Sequence, residues 1–189
     1  MDFTELLSAP AEVVAPRLLG CQLVRELDGQ RLSGRIVEVE AYDQLDAASH
    51  SYRGRTPRTD VMFGPPGFLY VYFTYGMHYC MNVVTGPEGH GSAVLIRALE
   101  PLEGQAVMST KRRGQTGEQL TNGPAKLCQA LGIDRSWNGH DLRQAPFQLI
   151  IEPALPQSSV IQSTRIGISK AQDKPWRFYI ANNLYVSKT

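Results

Sequence analysis

The stretch Phe68-Leu-Tyr-Val-Tyr-Phe-Thr-Tyr-Gly-Met-His-Tyr-Cys-Met-Asn-Val-Val84 limits what this chain can fold into more than any other. Aromatic residues make up only 8% of the sequence, yet six of them fall between Phe68 and Tyr79. Aromatic and β-branched residues favour strands, and Gly76 supplies the backbone freedom for a reversal. The segment therefore reads as two antiparallel strands joined at Tyr75-Gly76-Met77-His78. Hairpin tips ordinarily carry Asn, Asp or Ser, whereas this one presents a phenol, a thioether and an imidazole. Along the first strand a period of two puts Phe68, Tyr70 and Tyr72 on one face and Val71, Phe73 and Tyr75 on the other. One face can line a pocket while the other packs; a plain core hairpin with extra tyrosines is the alternative.

At 189 residues and 42% hydrophobic, the chain can bury one sizeable core, and a single domain over 1–189 is expected. No run of about eighteen apolar residues, charged-then-apolar leader or lipidation signal is visible, so the expectation is a soluble intracellular protein, without a membrane partner. Cys21, Cys80 and Cys128 are odd in number and scattered, which favours three buried thiols in a reducing compartment over a metal site or disulfides. Nineteen basic residues against eighteen acidic give a net charge of +1, so any case for nucleic acid needs a local basic patch.

Ser8 to Gly20 carries a helix start and a glycine stop, with Pro16 expected to kink or split the helix. Cys21–Leu27 and Leu32–Tyr42 alternate around Asp28-Gly29, a strong hairpin signal. On the second of these strands Val37 and Val39 share one face while Glu38, Glu40 and Tyr42 share the other. Ser92–Leu99 reads as a strand with Arg97 inside it, and a buried guanidinium needs a partner, naturally a carboxylate from a neighbouring strand. Pro101–Lys111 reads as a helix. Phe147–Ile151, Val160–Ile168 and Trp176–Val186 read as further strands.

Between Asp43 and Gly67 no periodicity survives, and a loop of that length in a compact domain is usually functional. It holds His50 together with Arg53, Arg55 and Arg58, spaced so that extended backbone could lay guanidinium groups along a polyanion. A solvated surface loop is the blander alternative. Thr121–Gly132 reads as a helix with Lys126 in its first turn, against the macrodipole, which makes sense if that end holds an anion such as a phosphate. An ordinary helix with a solvated lysine is the other reading.

No phosphate loop, dinucleotide fingerprint, nucleophile elbow or zinc-ligand spacing is present, which favours chemistry without a cofactor or metal. The polar candidates are Glu38, Glu40, His50, Asn82 and Arg97, accompanied by Tyr42, Tyr72 and Tyr75. A carboxylate beside a guanidinium can take a proton from water, and nearby aromatic rings can sandwich a flat, electron-poor ligand. Together they describe a pocket for a planar base with a hydrolytic carboxylate next to it.

Several ordered blocks resemble one family. They are Val37-Glu-Val-Glu-Ala-Tyr42, Ala48-Ser-His50, Arg55-Thr-Pro-Arg58, Met62-Phe-Gly-Pro-Pro-Gly67, Leu69 to Met77, Cys80-Met-Asn82, Arg97-Ala-Leu-Glu-Pro101, Asn122-Gly-Pro-Ala-Lys-Leu-Cys128 and Arg177-Phe-Tyr179. In order and spacing these are similar to the alkyladenine (3-methyladenine, methylpurine) DNA glycosylases, from about Leu18 to Val186. The resemblance implies a monofunctional base-excision repair enzyme that removes alkylated or deaminated purines from double-stranded DNA without strand cleavage. It also implies roles. Glu40 would activate the attacking water, Arg97 would help hold that water and the carboxylate, and Glu38 would support them. Tyr42, His50 and Tyr72 would enclose the flipped base, and Asn82 would crowd the exocyclic amino group of guanine. Tyr75 would be the wedge filling the vacated stack, with Met77 and His78 beside it in the minor groove. The connection between Tyr42 and His50 is slightly shorter than in the vertebrate members, so lesion preference is not carried across.

The expected architecture is a mixed α+β domain around a mostly antiparallel sheet, helices outside and the hairpin projecting; the sheet's curvature is what the resemblance implies. The expected assembly is a monomer, located in the cytoplasm or nucleoid. Two other readings stay open on the residues alone. A non-catalytic binder of distorted DNA would leave Glu40 and Arg97 without a task, and a nucleoside hydrolase would leave Tyr75 unexplained.

Overall fold

Alternating, β-branched segments joined by tight turns pair in sequence, and the longest of them becomes the centre of the sheet. This computed structural model describes residues 2–74 and 76–187, and the wedge assigned to Tyr75 lies outside them. β1 (Gln22–Leu27) and β2 (Gln30–Asp43) are joined at Asp28-Gly29, both at positive φ (50° and 75°), as a two-residue hairpin of this composition requires. β3 (Leu69–Thr74) and β4 (His78–Val84) form the aromatic hairpin, with Tyr70 opposite Asn82 and Thr74 opposite His78. β5 (Ser92–Glu103), β6 (Phe147–Ile150), β7 (Val160–Ser163) and β8 (Arg177–Ile180) complete an eight-stranded sheet.

The strand order β3-β4-β5-β2-β1-β6 is antiparallel at each pairing, with β8 alongside β2 and β7 alongside β8. β1 covers β2 only as far as Arg35; further along, β8 takes that flank over Glu38–Glu40. Glu38 and Glu40 are thus placed between β5 on one side and β8 on the other. The core face of this sheet carries Leu23, Ile36, Val39, Val71, Met81 and Ile96, all buried. Helices α1 (Phe3–Leu7), α2 (Ala11–Leu18), α3 (Gln105–Lys111) and α4 (Pro124–Leu131) lie outside it, α2 against β2 and α4 against β4.

Three local expectations are corrected. Of the kink or split expected at Pro16, the split does not occur: α2 runs through it, because Pro16 forfeits only the bond to the Glu12 carbonyl while buried Val14, Ala15 and Leu18 hold the turn. Pro101 is not helical. β5 continues through it, with Gly34 opposite Pro101 and Ser33 opposite Glu103, and the helix waits until Gly104 takes φ 75°. Finally, the expected strands Val160–Ile168 and Trp176–Val186 are realised only as Val160–Ser163 and Arg177–Ile180. Beyond Ser163 the chain leaves β7 and crosses toward β2, where the Ile166 amide reaches Glu40.

Candidate active site

A cavity of about 590 Å³, within the roughly 300–1,000 Å³ usual for small-molecule sites, opens on the face of the sheet away from the core. Its walls come from separate parts of the fold: Glu40 and Tyr42 from β2, Tyr70 and Tyr72 from β3, Asn82 from β4 and Arg97 from β5. Residues 47–50 and 166–170 close it from two loops.

The carboxylate of Glu40 is buried, with two hydrogen-bond donors and one ion-pair partner. Oε2 accepts the Tyr42 hydroxyl at 2.8 Å, while Oε1 accepts the Ile166 N–H at 2.7 Å and stands 3.3 Å from a terminal nitrogen of Arg97. Burial, then the charge of Glu40 and the bond to it, push the Tyr42 hydroxyl well above its ordinary range, so the phenol stays a donor. Arg97 also reaches Glu38 through Nε at 3.0 Å. Burial works against its charge, but Glu40 and Glu38 together hold the guanidinium above its ordinary value.

The ladder is irregular around Arg97: Ile36 faces Leu99, Glu38 faces Ala98 and Val39 faces Ile96, which leaves Val37 on β2 and Arg97 on β5 each without a partner and the register the same on either side. Arg97 lies two residues from cavity-lining Leu95, so strand alternation turns both toward the cavity. Behind it, Glu38 Oε1 also accepts Arg177 Nε at 2.7 Å and the Ser187 hydroxyl at 2.8 Å, and Oε2 accepts the Ser187 N–H at 2.7 Å. Glu38 thus accepts four hydrogen bonds, three on Oε1 and one on Oε2.

The aromatic part of the cavity is ordered by contacts of its own. His50 lies at the mouth, its ring 4.5 Å from that of Tyr72 in an edge-on arrangement, and its Nδ1 is 3.0 Å from the Tyr70 hydroxyl. Desolvation, followed by the charge of Arg58, pushes the imidazole down to about 4, so it is neutral at pH 7. Tyr72 is pushed up by burial and stays a neutral phenol. Asn82 is buried and donates through Nδ2 to the Tyr70 carbonyl oxygen at 3.2 Å, which fixes the amide at the cavity wall. At the hairpin tip Met77 is 70% exposed and His78 is exposed beside it.

The arginine loop is not extended. It is folded into 3₁₀ turns at His50–Arg53 and Asp60–Phe63 and a Thr56/Thr59 hydrogen-bonded turn, over a small cluster of Met62, Phe63, Tyr70 and Val84. Arg53, Arg55 and Arg58 remain exposed, Arg53 lining the cavity and Arg55 bonded to Asp60 at 2.6 Å. Lys126 is in the first turn of α4 and donates to Asn122 Oδ1 at 2.7 Å and Gln119 Oε1 at 2.8 Å. The structure thus brings Glu40, Arg97, Tyr42, His50, Tyr72 and Asn82 into one cavity, with Arg53 at its edge.

Sequence reasoning did not select Arg177, Ser187, Ile166, Arg165 or Asp46. Arg177 could have been found by the argument that found Arg97, a guanidinium in a strand of apolar and aromatic neighbours; Ile166 acts through its backbone N–H, which leaves no trace in side-chain pattern, and Ser187 through both its N–H and its hydroxyl at a position with no periodicity around it.

The methylpurine-DNA glycosylase family profile matches residues 5–184. This chain belongs to the methylpurine-DNA glycosylase family. A protein of Carboxydothermus hydrogenoformans named "Putative 3-methyladenine DNA glycosylase" is 55% identical over 178 residues, spanning 93% of both chains. Proteins of the same name from Desulfitobacterium hafniense and Methanoculleus marisnigri are 50% and 51% identical, each covering 93% of this chain and 92% of its own. Among the described residues no helix is long and apolar enough to cross a membrane, and no group of three or more His, Cys, Asp or Glu residues could hold a metal ion. For a methylpurine-DNA glycosylase the substrate is DNA.

Proposed function

We propose that this protein removes alkylated or deaminated purines from double-stranded DNA by hydrolysing the N-glycosidic bond of a nucleotide turned out of the helix. The observation that carries the reading is Glu40: a buried carboxylate, bonded by Tyr42 and Ile166 and flanked by Arg97, at the wall of an aromatic cavity. A base inside a duplex cannot be attacked, so it is extruded at a cost of a few kcal/mol in stacking, least for a damaged base. The flipped purine lies between Tyr42, His50 and Tyr72. Asn82 presses on the position where guanine carries its amino group.

Water held by Glu40 and Arg97 then attacks the sugar C1′. The C–N bond breaks, its electron pair leaves with the purine, and the proton from the water passes to Glu40. An alkylated purine already carries positive charge, which makes it a good leaving group and a good partner for tyrosine faces. No amine nucleophile enters, so no covalent protein–DNA intermediate forms and the strand is not cut. Tyr75, between Thr74 and Gly76, is proposed as the wedge that fills the gap, with Met77 and His78 along the minor groove. Arg53, Arg55, Arg58 and Lys126 are proposed contacts to backbone phosphates, the last two residues from cavity-lining Pro124. The protein is proposed to act as a monomeric single domain.

The deciding experiment is single-turnover release of hypoxanthine or 3-methyladenine from a lesion-bearing duplex. Glu40→Gln should slow release by roughly 100- to 10,000-fold while binding to the same duplex is retained. Turnover at the wild-type rate would remove Glu40 from the reaction.

A further inference from the structure

We infer that Arg165, gripped by Asp46, is a positioning residue for base release, acting through the Tyr42 phenol and the Glu40 carboxylate; this rests on the role of Glu40 given above. The Arg165 and Asp46 side chains form an ion pair wholly out of solvent. One terminal nitrogen of Arg165 donates to Asp46 Oδ2 and to the Ala41 carbonyl oxygen, the latter at 3.0 Å. The other donates to Asp46 Oδ1 and to the Ala171 carbonyl oxygen, both at 3.1 Å.

The same guanidinium lies 4.7 Å from the ring centre of Tyr42 and 5.4 Å from that of Trp176. A planar cation held bidentately on one side and stacked on the other fixes ring orientation in a way a lysine cannot. The ring it fixes is the one whose hydroxyl donates to Glu40. The residue after it, Ile166, supplies the backbone N–H that donates to Glu40 Oε1.

Asp46 works on the opposite wall. Its Oδ1 accepts the Ala48 N–H at 3.2 Å and its carbonyl oxygen accepts the Ser49 N–H at 2.8 Å, ordering the turn that leads into His50. The pair therefore ties together the two loops, residues 47–50 and 166–170, that close the cavity. Arg165 Nε is buried without a hydrogen-bond partner. An unpaired buried donor is a cost that an apolar side chain filling the same space would avoid, so space-filling alone does not account for arginine here.

The test is a double-mutant cycle on Arg165→Met and Tyr42→Phe, read as single-turnover release from an inosine-containing duplex at saturating protein. The dissociation constant for a duplex with a non-cleavable abasic analogue is measured in parallel. Arg165→Met should slow release by about tenfold or more with the dissociation constant within about threefold of wild type, and should cost about threefold or less in the Tyr42→Phe background. Multiplying effects, or a loss confined to binding or to melting temperature, would overturn the inference and leave a structural clamp. Asp46→Asn, which keeps shape and removes the ion pair, is carried through the same cycle in case Arg165→Met does not fold. Activity remaining in Glu40→Gln would defeat the proposed reaction itself; an inactive Glu40→Gln beside an independent Arg165 would defeat only this inference.

Discussion

Arg97 and Glu38 form a 3.0 Å ion pair with side-chain exposures of 9% and 0%, and Glu38 shares its Oε1 with Arg177. Two buried cations therefore share this carboxylate, Arg97 having Glu40 as well. Removing one partner of such a cluster strands the others, which costs about 3–5 kcal/mol. Glu38→Ala should lower stability to urea by that order, whereas Arg31→Ala, which breaks the half-exposed, solvent-screened pair with Glu103, should shift the urea midpoint far less. Equal midpoints for the two variants would mean that the Glu38 cluster is solvated.

His50 sets a pH window for stability. Burial and Arg58 push its folded-state value down to about 4, below the ordinary range near 6.5. Above roughly pH 6.5 the imidazole is neutral in both states and contributes no slope. Between there and about 4 the unfolded chain takes up a proton that the folded chain refuses, so stability falls as the pH falls. His50→Gln should flatten the stability profile in that window and leave it unchanged above it, as read from urea midpoints at successive pH values. A profile that keeps its slope would place the titration elsewhere.

Much of this arrangement could be read from the chain before any coordinates. Strand periodicity with Asp28-Gly29 and Gly76 dictated two hairpins, and a guanidinium among apolar residues demanded the carboxylate that Arg97 finds. What stayed hidden depends on tertiary register. Pro101 sits in a strand because Gly34 pairs with it, and the ladder beside Arg97 is irregular, with Val37 on β2 and Arg97 on β5 both unpaired between Ile36–Leu99 and Val39–Ile96. Asp46 and Arg165 lie 119 positions apart in segments without periodicity, so nothing local announces that they meet. The arginine loop offered charge but not shape; its turns come from Thr56, Thr59 and the apolar cluster beneath.

The exposed cations should be visible in salt dependence. Each phosphate neutralised on duplex DNA contributes about 0.9 to the slope of log affinity against log salt. Arg53→Ala, at the edge of the cavity, should reduce the magnitude of that slope by roughly this amount, equally for lesion-bearing and undamaged duplex. Arg31→Ala, at the far end of β2 from Tyr42, should leave it alone. Titrations by fluorescence anisotropy between low and moderate salt decide the matter, and identical slopes for Arg53→Ala and wild type would take Arg53 off the backbone.

On the reading proposed above, Asn82 discriminates between purines rather than catalysing. Its amide is buried, opposite Tyr70 across the aromatic hairpin, and the bond from Nδ2 to the Tyr70 carbonyl oxygen stops the side chain from swinging away. A purine carrying a 2-amino group would have to displace an amide that is tied down, whereas hypoxanthine, which lacks that group, would not. One misfitting group in a pocket is worth about 1–3 kcal/mol, or roughly 10- to 200-fold in relative rate. Asn82→Ala removes the obstruction while leaving Glu40 and its donors in place, so release of guanine-derived bases should rise relative to hypoxanthine by about tenfold or more. The comparison is made on one duplex sequence with the two lesions at the same position, under single-turnover conditions. If the ratio does not move, Asn82 serves the hairpin and not the choice of substrate.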